Sequence, residues 1–265
     1  MGAPLPRLFS RCQSVAVPQR TGYLSPMNYQ TNPSGWTGDD APPPGWKRYR
    51  EAAWLAARIW NGVGHLGPRG PVDGPPALVI PGFLANDRTA MELRRSLARD
   101  GWRVHGWGMG LNRGAKADTL HRLRERLDEI WDGRPILVVG WSLGGLFARE
   151  LARAAPHRVR AAVTLGSPFS GNPRQNNMWR LYEWVAGHSV DEPPVPHFAD
   201  KPAVPTLALW SSRDGIVAIR AARGLPGERD AAAEVRCCHM AFGVSRKATG
   251  QVAGEIRKFL EEVER

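Results

Sequence analysis

The stretch Gly140-Trp141-Ser142-Leu143-Gly144 sets one hydroxyl between two residues that have no side chain. It follows the apolar run "PILVVG" (135–140) and opens "LGGLFARELARAAP", whose apolar residues recur at helical spacing. At a strand-to-helix turn, G-x-S-x-G presents serine as a nucleophile. The sharp turn strains the serine backbone and lifts its hydroxyl clear of the sheet. Neighbours two positions away crowd that turn, and Gly140 and Gly144 have no Cβ to clash. The helix opens with unpaired N–H groups, so the Leu143 N–H can stabilise an anion. The bland alternative is a tight turn with an accidental serine. The flanking strand and helix, with Gly145 added, favour the nucleophile.

A serine hydroxyl needs a base to take its proton, and the base needs an orienting acid. In a strand–turn–helix setting of this kind both partners come later in the chain, the acid before the histidine. "TLALWSSRDGIV" offers Asp214 after a strand, and "AEVRCCHMAFG" offers His239 after the last strand. Asp214 could instead serve only an Asp-Gly turn, and His239 only a helix cap. The other histidines fit less well. His105 falls inside a strand, His121 on the exposed side of a helix, His157 in a turn and His65 ahead of the sheet. His188 and His197, with the acids Asp191, Glu192 and Asp200, belong to a segment that no strand carries to the right edge.

A developing oxyanion needs a second donor, expected from the loop after the first strand. In "VIPGFLAND" Gly82 allows close backbone approach, and the Phe83 N–H is the expected donor. Trp141, Trp184 and Met240 are the expected apolar pocket residues. The chemistry calls for no organic cofactor and no metal. Cys237, Cys238 and His239 are too tightly consecutive for a usual zinc site.

These residues need a scaffold that brings distant loops to one edge. From Ala77 onward strands and helices alternate. Strands are expected at 77–82, 102–108, 135–140, 159–168, 203–212 and 233–239. Helices are expected at 88–101, 119–133, from 143 onward and at the C-terminus. Continuous apolar strands between amphipathic helices predict a mostly parallel sheet covered by helices on both faces, an α/β fold. Leu120, Leu123, Leu127 and Ile130 share one helical face. Residues 1–45 are rich in Pro, Gly, Ser and Asn and read as an extended or partly disordered arm. Residues 46–265 read as one domain. Its first helix, "GWKRYREAAWLAARIWNG", sets Tyr49, Ala53, Ala56 and Trp60 on one face, near Trp54, to dock on the domain surface. Residues 169–202 interrupt the alternation and read as a lid insertion. Met178, Leu181, Trp184 and Val185 form its apolar stripe, and "DEPPVP" forms a stiff strap.

At 265 residues the chain is long enough to bury a sizeable core. The formal charge is +11, with only five lysines among 36 basic residues. The arginines are scattered and often stand beside acids, as in "LRERLDE", so no nucleic-acid site is expected. Weak contact with an anionic membrane surface is the one macromolecular contact that this charge suggests. With three cysteines, no apolar run long enough to span a bilayer, and an opening stretch broken by Pro, Arg and Gln, the expected location is cytoplasmic.

Over residues 76–262 the chain resembles the α/β-hydrolase family, in particular its bacterial esterase and lipase members. The resemblance rests on "VIPGFLAND", "GWSLGG", "VTLGSPF", "WSSRDGIV" and "CCHMAFG". Pro81-Gly82 stands where many members carry His-Gly, which leaves the backbone donor and alters the loop. The resemblance implies a carboxylic-ester hydrolase with Ser142, His239 and Asp214 as its triad, acting on a small-molecule ester or a lipid-like substrate. Thioesterase, amidase or perhydrolase chemistry on the same triad stays open, as does a non-catalytic binding protein on a hydrolase scaffold.

Overall fold

Along the strand Pro76–Ile80 (β1), Ala77 and Val79 pack to one side and Leu78 and Ile80 to the other, and the whole strand is buried. A strand that is apolar on both faces needs cover on both. The computed structural model, which describes residues 41–49, 51, 67–174, 176–195 and 197–265, supplies it. All of these residues belong to one unit of the chain, Pro33–Arg265. Residues 1–40 of the expected arm (1–45) and most of the expected first helix, including Ala53, Trp54, Ala56 and Trp60, lie outside the described residues.

After β1 the chain runs through helix α1 (Met91–Arg99), β2 (Arg103–Gly106), α2 (Thr119–Ile130), β3 (Ile136–Trp141), α3 (Leu143–Ala154) and β4 (Val159–Leu165). It continues through α4 (Trp179–Ala186), β5 (Thr206–Trp210), α5 (Ile219–Arg223), β6 (Ala231–Glu234), α6 (Ala241–Val244) and α7 (Arg246–Val263). The strands pair in parallel in the order β2-β1-β3-β4-β5-β6. On one face Leu93 and Leu97 of α1, Phe242 of α6 and Val252 and Ile256 of α7 cover Ala77, Val79 and Val163. On the other, Leu123 and Leu127 of α2 and Phe147 and Leu151 of α3 cover Leu78, Ile80 and Val138.

The chain leaves β1 to one side for β2 and returns on the other side for β3. Where strand order reverses in this way, the loops at the strands' C-terminal ends diverge and open a crevice. The loops that follow β1 and β3, which carry Phe83 and Ser142, flank that crevice. β6 stops at Glu234 rather than running on to residue 239. Residues 235–240 form a loop whose Cys237 carbonyl accepts the Ser211 hydroxyl (2.6 Å). The short helix α5 was not expected from sequence. Its Ala221 and Ala222 bury themselves against Val217 and Ala218.

Candidate active site

Ser142 stands between β3 and α3 with φ 55° and ψ −121°. Positive φ is costly for a residue with a Cβ and persists only where its surroundings hold it. Here Ser142 N–H donates to the Leu165 carbonyl (2.8 Å) and Gly145 N–H donates to the Ser142 carbonyl (2.9 Å). A Cβ on Gly140 would overlap the Gly144 backbone, and one on Gly144 would overlap the Ile80 carbonyl. Nothing but glycine fits either place, so the serine is held by close approach from both sides.

The loops that carry Asp214 and His239 meet at the ends of β5 and β6. Asp214 Oδ1 accepts the N–H groups of Ile216 (2.7 Å) and Val217 (2.8 Å). That leaves Oδ2 for His239 Nδ1, at 2.7 Å. Both side chains are almost wholly buried. Burial alone would push the His239 pKa down, but the adjacent Asp214 carboxylate and, beyond it, the Glu51 carboxylate more than offset this, and the net direction is up. Trp141, next to the serine, donates its indole N–H to the His239 carbonyl (3.2 Å). The Ser142 turn thereby helps to seat the His239 loop. Gly166, at the end of β4 with φ +55°, backs onto the pair. A Cβ there would lie 3.1 Å from both Asp214 Oδ2 and His239 Nδ1. Burial pushes the nearby Cys237 thiol well up, which keeps it protonated and unreactive.

Ser142 and His239 line one cavity of about 440 Å3, together with Phe83, Leu143, Trp141 and Met240. Among the described residues neither Phe83 N–H nor Leu143 N–H has an acceptor. Gly82 backs directly on Ser142: a Cβ there would lie 3.1 Å from Ser142 Cβ. Asn112 holds this loop. Its carbonyl accepts Leu84 N–H (2.7 Å), its N–H donates to the Ala85 carbonyl (2.8 Å) and its side chain donates to the Pro81 carbonyl (2.8 Å). Leu84 itself is strained at φ 53°. Two titratable groups also line the wall. Burial raises the pKa of Glu150, and burial with Arg149 and Arg153 nearby lowers that of His197 to about 4. Both shifts favour the neutral forms.

Met178, Trp179, Leu181 and Tyr182 of the 169–202 segment line the cavity. Trp184, expected in the pocket, is instead 81% exposed. The reason is the roll of α4. The Tyr182 hydroxyl accepts the Ala115 N–H (3.2 Å), and its ring packs against Phe83 with centroids 5.2 Å apart. A residue two positions on points about 200° away around the helix. The expected strap, residues 191–196, is held at its first residue, where Asp191 pairs with Arg174 at 2.5 Å, and the chain three residues past its end is held by Arg149, which donates to the Ala199 carbonyl (2.7 Å). Of the rival histidines, His197 lines the cavity wall, whereas His121 stands beside Glu125 (3.3 Å) on the surface of α2 and His188 against the Ala115 carbonyl (3.1 Å). Tyr49 is 82% exposed and does not dock as expected. Glu51, two residues on, does, and sequence reasoning missed it. A lone acid in an amphipathic run carries no signal that marks it as buried.

The α/β-hydrolase fold family matches residues 75–203, from β1 through the Ser142 turn and the 169–202 segment but short of Asp214 and His239. Among solved structures, a membrane phospholipase A described as a bacterial virulence factor is 16% identical, with a TM-score of 0.55 over 82% of this chain and 92% of its own. A naproxen esterase from Bacillus subtilis is 15% identical, with a TM-score of 0.54 over 82% and 99%. The thioesterase domain from the curacin biosynthetic pathway is 14% identical, with a TM-score of 0.54 over 72% and 93%. No curated protein sequence matches significantly. The chain has the α/β-hydrolase fold, and its residues 75–203 match the α/β-hydrolase fold family. Esterases and thioesterases are both among its structural neighbours.

Proposed function

We propose that the protein is a serine hydrolase that cleaves carboxylic esters through an acyl-enzyme on Ser142. One observation carries the reading: a strained serine and a histidine bonded to a buried aspartate at 2.7 Å open into the same cavity. Ser142 Oγ attacks the ester carbonyl carbon while His239 Nε2 takes its proton. Asp214 holds the Nδ1–H tautomer and stabilises the imidazolium. The Phe83 and Leu143 N–H groups receive the oxyanion. The tetrahedral intermediate collapses, the alcohol leaves with the proton from His239, and water repeats the sequence on the acyl-enzyme.

The cavity supports a small, largely apolar acyl group. Leu146, Met178, Leu181 and Val217 line it, and its volume is of the size that encloses a small molecule. A small-molecule or lipid-like ester is the proposed substrate. A cytoplasmic location belongs to the same reading, supported by Cys237, which is buried and forms no disulfide among the described residues. The test is a panel of nitrophenyl esters and the matching thioesters of increasing acyl length, with Ser142→Ala as control. Hydrolysis of the oxygen esters that the substitution removes is expected. Turnover of thioesters alone would move the assignment to a thioesterase.

A further inference from the structure

Glu51 lies ahead of the region that matches the family, in the helical segment that begins at Lys47. It is 5% exposed. Its Oε1 accepts the N–H of Gly215 (3.0 Å) and the N–H of His239 (2.9 Å), and its Oε2 accepts the N–H of Met240 (2.9 Å). Gly215 directly follows the acid Asp214, and His239 is the base. One carboxylate therefore joins the backbones of the two loops whose side chains meet at Nδ1 and Oδ2. The neighbouring residues fasten the same loop. Lys47 Nζ donates to the Ser212 carbonyl (2.9 Å), and the Asn177 side chain donates to the carbonyls of Pro43 (2.9 Å) and Gly215 (3.0 Å). A buried carboxylate is costly unless its oxygens are well bonded, and charge-assisted bonds from backbone N–H groups are strong and directional. The arrangement suits the fixing of a geometry better than the filling of space.

We propose that Glu51 is a positioning residue for the Asp214–His239 pair: its carboxylate sets the spacing of the acid and base loops and so holds the imidazole where it serves Ser142. This rests on reading Ser142, His239 and Asp214 as the catalytic residues. It makes a segment outside the matched region part of the catalytic apparatus. Glutamine has the same shape but one acceptor oxygen, so in E51Q an amide N–H must confront at least one of the three backbone donors.

The experiment compares full-length wild type with E51Q and E51D on nitrophenyl butyrate, on fluorophosphonate labelling of Ser142, and on the downfield proton NMR signal of His239 Nδ1–H. For E51Q the expectation is a fall in kcat of about 10- to 100-fold, roughly the range that loss of one well-placed group costs. KM should stay within about threefold, labelling should slow in parallel, and the Nδ1–H signal should shift or broaden. E51D keeps the charge on a shorter stem and should recover part of kcat. A lowered melting temperature with kcat, labelling and the Nδ1–H signal unchanged would overturn the proposal. If E51Q does not fold, wild-type amide exchange decides. The N–H groups of Gly215, His239 and Met240 should exchange far more slowly than free peptide, and exchange at free-peptide rates would overturn the contact. If wild type neither hydrolyses the ester nor labels at Ser142, the reading of the site fails. A wild type that labels, beside an E51Q that labels equally fast, removes the Glu51 proposal alone.

Discussion

In Asp214→Asn the new amide has no free choice of orientation. The N–H groups of Ile216 and Val217 both point at the position of Oδ1, at 2.7 and 2.8 Å, so the single amide oxygen must go there. The NH2 group then takes the place of Oδ2 and faces His239 Nδ1, which can only accept from it. The imidazole proton is driven to Nε2, the nitrogen that should receive the Ser142 proton. Turnover should fall by about 1,000- to 10,000-fold, the scale on which loss of the orienting acid acts in a triad. That corresponds to roughly 4–5.5 kcal/mol of transition-state stabilisation. The pH profile gives a second, independent signature. In wild type the His239 pKa is raised because the carboxylates offset burial, so kcat/KM should be lost as pH falls through a value above the ordinary 6.5. In Asp214→Asn the main raising influence is gone and burial remains, so the acidic limb should move to lower pH while the plateau drops. Stopped assays of kcat/KM across pH 4–9 on purified, folded protein read both effects. A plateau within tenfold of wild type, or a limb that moves upward, would refute the argument.

Leu181→Ala should reduce kcat/KM on butyrate and hexanoate esters more than on acetate, by up to about 0.8 kcal/mol, or roughly fourfold, for each methylene that loses its wall. Trp184→Ala, on the exposed side of the same helix, should leave the chain-length profile unchanged. Gly166→Ala would force a Cβ to within 3.1 Å of both Asp214 Oδ2 and His239 Nδ1 from a positive-φ position. It should lower the melting temperature and cut kcat while KM holds, as paired thermal melts and kinetics would show. Tyr182→Phe removes the hydroxyl that accepts the Ala115 N–H and should cost about 0.5–1.5 kcal/mol in chemical denaturation.

The sheet and the nucleophile turn were legible because their signals are local. β1 and β3 are unbroken apolar runs, and Gly140-Trp141-Ser142-Leu143-Gly144 sits at a boundary between two strong periodicities. The meeting of Asp214 and His239 is legible through chain order, since each follows a strand. The apolar stripe on α4 is legible only in part: Met178 and Leu181 line the cavity, whereas Trp184 turns to solvent. Spacing fixes which residues share a face, whereas the Tyr182 hydroxyl on Ala115 decides which face looks inward. Glu51, Asn112 and the base-loop contact of Trp141 were not legible. Each acts through bonds to backbone groups far along the chain, Glu51 to Gly215 and His239, Asn112 to Pro81 and Trp141 to His239. Backbone N–H and C=O groups occur at every position and leave no mark in the residue pattern.

The most direct measurement is active-site labelling. Native protein is treated with a fluorophosphonate and digested, and the modified residue is mapped by mass spectrometry, with Ser142→Ala and heat-denatured protein alongside. The account predicts stoichiometric modification at Ser142, lost in the alanine variant and after denaturation, and in step with loss of ester hydrolysis. Native protein that stays unmodified, or that is modified at another serine while hydrolysis continues, would contradict the account.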